Sequence, residues 1–357
     1  MTDPNGGAYT QHSPNGVHVV GSVPLPSASA VFSKLVNALP GRLRRIPDGE
    51  PAERQDFVIF QRESFSAVPH ILRQYDASFN PVPSKLPTNS EIADVLTTIN
   101  KSGPIQTNYD THAIASYKDF KSLQAAGQIP ADVKFQVSLP TPINFLCLIA
   151  DGYQGPIEPL YEEALLRALQ NIEDSIPHSA LAIQWDIASE FAMLEGATWP
   201  HFNPFFSPVR EGIIERSLRL INAVSADVDV GLHLCYGDIG HRHFFEPKDM
   251  AHLVDIAKTL KTQAKRDINF IHMPVPKDRT DSEYFAPLKE LELGTTELYL
   301  GVVHYNDLEG TKRRITAAHT AVEKFGVATE CGMGRTPADQ LDSILEVSAA
   351  VSAPQQP

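Results

Sequence analysis

Short β-rich runs alternate with amphipathic helical stretches along almost the entire sequence, and this alternation limits the fold more than any other feature. Parallel strands need long crossover connections, which are usually helices, so the pattern predicts a parallel sheet covered by helices. The predicted strands are residues 17–20, 44–46, 135–139, 182–186, 228–235, 268–272, 298–304 and 327–331. Their number equals that of a (β/α)8 barrel, or TIM barrel, and such barrels often have the length of this chain. We therefore predict one (β/α)8 barrel with elaborated loops.

The two ends of the sequence depart from this pattern. Residues 1–15 are polar and rich in glycine and proline, and residues 349–357 are similar, so both are predicted to be flexible. The barrel domain is then expected to span residues 16–348. The first residues lack the basic and apolar stretches of a secretory signal. The 3 cysteines are too few for a disulfide framework, which favours a reducing compartment, by default the cytoplasm.

The charge balance argues against some classes of partner. The formal net charge is −13, and such a surface repels nucleic-acid phosphates and anionic lipid. No apolar run approaches the roughly 20 residues needed to cross a bilayer. The sequence contains no Gly-x-Gly-x-x-Gly or Walker-type loop and no Gly-x-Ser-x-Gly. We expect a small-molecule substrate, and the sequence leaves the oligomeric state open.

Polar and reactive residues recur at the carboxyl ends of the predicted strands. They are Gly21, Ser22, Asp186, His233, Cys235, His272, His304 and Cys331. In a (β/α)8 barrel this end carries the active site, because the loops that follow the strands meet there. The same residues therefore form the candidate site.

A metal site is the most specific candidate within this set. His233 and Cys235 are two residues apart on a strand, so their side chains point to the same face. Cys331 ends the last strand, which lies beside the first strand if the sheet closes. Imidazole and thiolate ligands favour zinc over magnesium or calcium. The alternative is that each cysteine is a small buried hydrophobic side chain, which is the preferred interpretation for Cys147.

Several segments together resemble the catalytic domain of cobalamin-independent methionine synthases. They are residues 20–22, 184–190, 231–238, 301–305 and 330–335, in the same order as in that family. The resemblance implies that His233, Cys235 and Cys331 bind Zn2+. It also implies that Asp186 contacts the amino group of an amino-acid substrate, and that Gly21 and Ser22 help to hold its carboxylate.

The sequence departs from the family at three points. The family has a glutamate zinc ligand where this chain has His272, which is expected to be a fourth ligand or otherwise an acid, base or substrate contact. Asn306 occupies the place of a catalytic histidine, so His304 is the candidate for proton transfer. Full-length members also carry a second barrel, so methyl transfer from methyltetrahydrofolate to homocysteine cannot be assumed for this chain.

Two further charged residues are candidates for substrate binding. Arg45 belongs to a group of arginines around residues 46–50 and could pair with a carboxylate or phosphate of the substrate. The alternative is that these are surface arginines paired with Asp48, Glu50 and Glu53. Glu190 follows the strand that ends at Asp186 and is also expected to reach the pocket.

Three functions are consistent with these residues. The leading hypothesis is a zinc-dependent methyl- or alkyltransferase that activates a small, homocysteine-like thiol as a zinc thiolate. The second is a zinc-dependent lyase or hydrolase acting on a small polar metabolite. The third is a non-catalytic relative that binds a metabolite.

Overall fold

A computed structural model describes residues 13–197, 203–239 and 242–355 of the chain. Ten strands lie within these ranges. They are β1 Val17–His18, β2 Arg45–Pro47, β3 Lys134–Pro140, β4 Leu181–Ile187, β5 Asp229–Leu234, β6 Asp238–Ile239, β7 Arg242–His243, β8 Phe270–Pro274, β9 Glu297–Val303 and β10 Gly326–Thr329. The short strands β6 and β7 form an antiparallel hairpin of their own. The other strands belong to a single sheet.

The 8-stranded sheet has the order β1-β10-β9-β8-β5-β4-β3-β2, and every pair in it is parallel. Two backbone hydrogen bonds link the segments that contain its end strands, β1 and β2. The N–H of Val17 donates to the carbonyl of Arg42 at 2.9 Å, and that of Val23 donates to Gly49 at 2.9 Å. The sheet is therefore a nearly closed barrel. This confirms the predicted (β/α)8 fold, including the short second strand.

Helices cover the outside of the barrel. They are α1 Ala28–Ala38, α2 Asn89–Lys101, α3 Tyr109–Ala125, α4 Pro142–Leu146, α5 Gln154–Ser175, α6 Ser189–Leu194, α7 Val209–Ala223, α8 Ala251–Gln263, α9 Ser282–Phe285, α10 Leu308–Ala318 and α11 Leu341–Val351. The long connection between β2 and β3 contains short 3-10 segments followed by α2 and α3. Among the residues described, no helix is both long enough and apolar enough to cross a membrane.

The main core lies between the helices and the outer face of the sheet. Helix α1 shows how the sequence builds it. Ser27 caps its first turn by accepting a hydrogen bond from the N–H of Ala30, and one side of the helix buries Phe32 and Leu35. The ring of Phe32 packs edge-on against Phe135 of β3. Apolar residues spaced at the helical period on α1 therefore pack against apolar residues that alternate along β3.

Both predicted flexible ends include residues that contact the barrel. Asn15 pairs with Ala353 in a parallel bridge, and Ser352 is fully buried. Helix α11 extends to Val351, beyond the boundary predicted at residue 348. Residues 13–15 and 349–355 are therefore attached to the amino-terminal end of the barrel. Residues 1–12 and 356–357 lie outside the described part of the chain.

Candidate active site

A cavity of about 580 Å3 opens at the carboxyl end of the barrel strands. Strand ends and the residues just beyond them line its inner part, among them Val20, Asp186, His233, Cys235 and Cys331. This is the end at which (β/α)8 barrels carry their active sites. The predicted site residues Gly21 and Ser22 also line the cavity.

Three of the predicted metal ligands lie together in this cavity. His233, Cys235 and Cys331 each offer one ligand atom, and these atoms lie within 4.8 Å of one another. The Sγ atoms of Cys235 and Cys331 are 3.8 Å apart, and Cys331 Sγ is 3.8 Å from His233 Nε2. Tetrahedral zinc with Zn–S bonds of about 2.3 Å holds two sulfurs about 3.8 Å apart, and a sulfur and a nitrogen about 3.6 Å apart. The donor set and its spacing therefore fit a zinc ion.

The strands explain why these residues meet. His233 lies near the end of β5, and Cys235 follows two residues later, with its N–H bonded to the carbonyl of Ile187 at 2.9 Å. Cys331 comes two residues after the last residue of β10. Neighbouring strands place Asp186 and His272 on either side of His233 in register. The cluster therefore follows directly from the closed order of the sheet.

The two thiols and the imidazole change one another's proton affinity. Cys235 donates a hydrogen bond to Cys331, which together with nearby His233 outweighs burial and holds the pKa of Cys331 well below its usual value. The same bond, with burial, holds the pKa of Cys235 well above its usual value. Burial lowers the pKa of His233, but the adjacent Cys331 raises it by more. In the metal-free protein these contacts therefore shift Cys331 toward the thiolate and His233 toward its protonated form.

His272 lies outside this cluster, contrary to the expectation that it is a fourth ligand. Its Nδ1 is 2.7 Å from Nδ1 of His233, and its Nε2 is 3.0 Å from the carbonyl oxygen of Thr329. The side chain is fully buried. Burial, with the nearby His233 and His18, holds the pKa of His272 well below its usual value, so the ring is neutral. Both ring nitrogens thus already contact protein atoms.

Two carboxyl groups face the cavity beside the cluster. Burial raises the pKa of Asp186 to about 7, although His233 and Gln184 act in the opposite direction. Burial and the negative charge of Asp186 raise the pKa of Glu50 to about 8. The sequence left open whether Glu50, which follows the end of β2, pairs with surface arginines or faces the pocket, and the structure places it in the cavity lining. A Cβ on Gly21 would lie 2.7 Å from Glu50 Oε1, so the glycine leaves room for this carboxylate.

Gln184 holds Asp186 in place from inside the barrel. Its Nε2 donates to Asp186 Oδ1 at 2.8 Å and to the carbonyl of Val20 at 2.7 Å. Its Oε1 is 2.8 Å from Nε2 of His18, which is therefore the donor in that contact. A buried amide with these partners fixes the direction of the carboxylate. The sequence contained the signal, because Gln184 lies two residues before Asp186 and points to the same face.

Ser22 joins the first strand to the loop that carries Cys331. Its Oγ accepts a hydrogen bond from the N–H of Gly334 at 3.0 Å, and its carbonyl accepts one from Met333 at 2.7 Å. The hydroxyl proton of Ser22 is still free to be donated, because an oxygen can accept one hydrogen bond and donate another. Ser22 therefore holds the loop in place, and its hydroxyl can also donate a hydrogen bond to a bound carboxylate.

Three predicted residues lie away from the cavity, and their positions correct the expectations for them. Glu190 is buried, with its carboxylate bonded to the hydroxyl of Thr141 and to the N–H of Ala188, so it orders the turn after β4. His304 donates from Nε2 to the carbonyl of Val275 at 2.9 Å. Burial, with Arg314 nearby, lowers the pKa of His304 to about 4, which makes it a poor proton donor at neutral pH.

Arg45 is the third predicted residue that lies away from the cavity. It begins β2 and pairs with Glu297, the first residue of β9, with Nη1 and Oε2 2.9 Å apart. Its guanidinium carbon also lies 4.0 Å from the centre of the Phe270 ring. These are strand beginnings, so Arg45 lies at the end of the barrel opposite the cavity and does not reach a substrate there.

The outer part of the cavity has a different character from the floor. Its lining includes Phe57, Ile59, Tyr75, Phe79 and Phe244. Ile59 and Phe79 have 44% and 48% of their surface exposed, which is high for large apolar side chains. Charged side chains, among them Asp56 and Arg62, also line the cavity. The cavity therefore combines a charged floor with an outer part that presents large apolar side chains beside charged ones.

Comparison with solved structures supports the fold. A B12-independent methionine synthase from Shewanella sp. W3-18-1, in complex with selenomethionine, superposes with a TM-score of 0.56 at 16% sequence identity, over 95% of this chain and 96% of that one. The chain shares the fold of that enzyme. The predicted resemblance is thereby confirmed at the level of fold, and over nearly the full length of both chains.

Two further structures match less well. One is a proposed vitamin B12-independent methionine synthase from Listeria monocytogenes, with a TM-score of 0.49, 17% identity, and coverage of 95% of this chain and 97% of that one. The other is a methyltransferase from Methanosarcina mazei, with a TM-score of 0.47, 14% identity, and coverage of 95% and 94%. No family model and no curated protein matches the sequence.

Proposed function

We propose that this chain is a zinc-dependent methyl- or alkyltransferase that acts on a small thiol bearing an amino-acid group. The observation that carries the proposal is the cluster of His233, Cys235 and Cys331 on the floor of a cavity, beside the carboxyl groups of Asp186 and Glu50. The fold shared with a B12-independent methionine synthase supports the same interpretation.

His233, Cys235 and Cys331 would hold the zinc ion. A bound zinc ion supplies a positive charge that keeps a thiol deprotonated at neutral pH, and the thiolate is the form that attacks an alkyl carbon. The protein contributes the spacing of the three ligand atoms and the burial of the His233 and Cys235 side chains. Because zinc prefers four ligands, three protein ligands leave one position for the substrate.

Asp186 and Glu50 would bind the ammonium group of the acceptor. Two carboxyls whose pKa values are raised to about 7 and about 8 are held in a setting that disfavours negative charge. A cation between them removes that penalty, because it stabilises both ionised forms. Ser22 would donate a hydrogen bond from its hydroxyl to the substrate carboxylate.

The outer part of the cavity would hold the second substrate. A cavity of about 580 Å3 is larger than a short amino acid requires, so space remains between the floor and the mouth. Transfer requires the donor carbon to approach the sulfur from that space. Side chains such as Phe57 and Phe79 favour a donor whose departing portion is apolar or aromatic.

Metal analysis tests the core of this proposal. Purified protein is expected to contain about one zinc per chain, and His233→Ala, Cys235→Ala and Cys331→Ala are each expected to lose it. Cys147→Ala is the matched control, because Cys147 also lines the cavity but lies outside the ligand cluster. Zinc-loaded protein is then supplied with homocysteine and candidate methyl donors while methionine formation is followed.

The outcomes separate the candidate functions. Methionine formation that disappears in the three ligand variants and persists in Cys147→Ala would support the transferase. Zinc binding without any binding of thiols would favour the zinc-dependent lyase or hydrolase, for which the open ligand position would hold water. Absence of zinc from the wild-type protein, combined with wild-type stability of Cys235→Ala, would favour a non-catalytic metabolite-binding protein.

A further inference from the structure

His272 makes two contacts that together determine where its protons lie. Its Nε2 is 3.0 Å from the backbone carbonyl oxygen of Thr329, and its Nδ1 is 2.7 Å from Nδ1 of His233. A carbonyl oxygen only accepts hydrogen bonds, so Nε2 of His272 must carry a hydrogen. In a neutral imidazole the other nitrogen is then an acceptor. His272 Nδ1 therefore accepts a hydrogen bond, and Nδ1 of His233 donates it.

The surroundings of His272 favour this neutral form. The ring is fully buried, and its ring neighbours are His233 and His18, with ring centres 4.8 Å and 5.8 Å away. Neither neighbour is an acid that would stabilise a positive charge, and a buried cation without such a partner is costly. If His272 were charged, its Nδ1 would be a donor and His233 would have to be the acceptor there.

The direction of this bond determines which atom of His233 faces the cluster. With its hydrogen on Nδ1 directed at His272, His233 presents Nε2 to Cys331, whose Sγ is 3.8 Å away. Metal-binding histidines commonly donate their second ring N–H to a partner that fixes the ring. That partner is usually a carboxylate, a carbonyl or a water molecule, and here a second histidine occupies its place.

Register explains why His272 supports the cluster rather than joining it. His272 on β8 lies directly beside His233 on β5. The cluster also contains Cys235, just past the end of β5, and a strand rises about 3.3 Å per residue. The two cysteines therefore lie nearer the cavity than His272, and both ring nitrogens of His272 are already bonded.

We propose that His272 is a positioning residue that accepts the Nδ1 hydrogen of His233 and so fixes the His233 tautomer whose Nε2 binds the metal. The proposal rests on the zinc site proposed above. It assigns a three-residue ligand set of His233, Cys235 and Cys331, with the fourth position open to the cavity. Two thiolates balance the charge of Zn2+, so the set is formally neutral before a substrate binds.

Three substitutions of His272 separate positioning from ligation. His272→Asn keeps an acceptor oxygen near the position of Nδ1, His272→Gln keeps a donor near the position of Nε2, and His272→Leu has neither. Zinc dissociation constants are measured by competition with a chromophoric chelator, with thermal unfolding as a control for folding. We expect a dissociation constant near that of wild type for His272→Asn, and one about 10–100-fold weaker for His272→Leu and His272→Gln.

X-ray absorption spectroscopy of the zinc-loaded wild-type protein counts the imidazole and sulfur ligands of the zinc ion. One imidazole and two sulfurs in the first shell are expected. Two imidazoles would overturn the proposal, as would equal loss of zinc from His272→Asn and His272→Leu.

Nitrogen NMR of the histidine rings in metal-free protein tests the same bond without zinc. We expect His272 to carry its hydrogen on Nε2 alone and His233 to be protonated at Nδ1. A hydrogen on Nδ1 of His272 would contradict the inference. Because this measurement needs no metal, it distinguishes failure of this inference from failure of the proposed zinc function.

Discussion

At the scale of single residues, the two carboxyls beside the metal cluster are held in an environment that penalises their ionisation. The pKa of Glu50 is raised to about 8 by burial and by Asp186, and that of Asp186 is raised to about 7 by burial. An unfolded chain would ionise both near pH 4. The penalty is a stability cost that a bound ammonium group would remove, which suits a binding site better than a structural pair.

The pH dependence of stability tests this view. Between about pH 4 and pH 8 the folded state binds more protons at Glu50 than the unfolded state does, so its contribution to stability falls as pH rises through that range. Glu50→Gln removes the ionisable group. We expect this variant to be more stable than wild type at pH 8.5 by roughly 1–3 kcal/mol and to differ little at pH 4.

Urea denaturation of metal-free protein at both pH values measures the effect. Glu53→Gln is the control, because Glu53 lies in the same segment but is exposed. A variant that is equally destabilised at both pH values would show that Glu50 is a structural hydrogen-bond partner, contrary to this interpretation.

At the scale of elements, the loop after β10 carries a proposed metal ligand and is fastened to the end of β1. Ser22 accepts hydrogen bonds from Gly334 and Met333, so the loop and the strand are held as one unit. Ser22→Ala removes only the side-chain bond, and we expect it to cost about 1 kcal/mol of stability. Hydrogen exchange at the Gly334 amide should become faster, while Met333 remains protected.

The same variant bears on the metal site. Looser attachment of the loop should weaken zinc binding through Cys331 without changing the number of zinc ions bound. Ser22→Thr retains the hydroxyl and is the matched comparison. Unchanged exchange at Gly334 in Ser22→Ala would mean that the loop is held by other contacts.

Elements were more predictable than the directions of individual side chains. Every predicted strand of the barrel is present, because apolar runs, helical periods and polar strand ends are local properties of the sequence. The cluster of His233, Cys235 and Cys331 also followed, since ring closure brings those strand ends together. The sequence did not predict how far along the barrel axis each of these side chains lies. His272 lies beside His233 but farther from the cavity than the two cysteines, and Arg45 lies at the amino-terminal end of its strand.

Other differences arose from rotamers and local partners. His304 is at a strand end, as predicted, but its ring turns toward the carbonyl of Val275. Glu190 is held by Thr141 and by the backbone of Ala188. Such choices depend on neighbours distant in sequence, which periodicity does not identify. For Glu50 the sequence left two positions open, at the surface or facing the pocket, and the contact with Gly21 in the cavity decides between them.

At the scale of the whole molecule, the barrel separates a functional end from an end that stabilises the ring. Arg45 of β2 reaches Glu297 of β9 across the interior at the amino-terminal end, and the ring of Tyr299 also donates to Glu297 from its hydroxyl at 2.8 Å. Arg45 is almost fully buried, and it stacks on Phe270. The contacts of Arg45 with Glu297 and Phe270 join strands that are not neighbours in the sheet, near the seam between β1 and β2.

Removing one partner of this pair should therefore destabilise the barrel and spare the site. Glu297→Gln leaves the buried charge of Arg45 without its counter-ion, and we expect a loss of about 3 kcal/mol in the free energy of unfolding. In Arg45→Met combined with Glu297→Gln no buried charge remains unpaired, because Arg44, the other partner of Glu297, is exposed, so the loss should be smaller than that of Glu297→Gln. Denaturant unfolding measures the stability of each variant, and zinc per chain should equal that of wild type in both. Loss of zinc from the folded variants would show that the two ends of the barrel are coupled, because neither residue lies within reach of the ligand cluster.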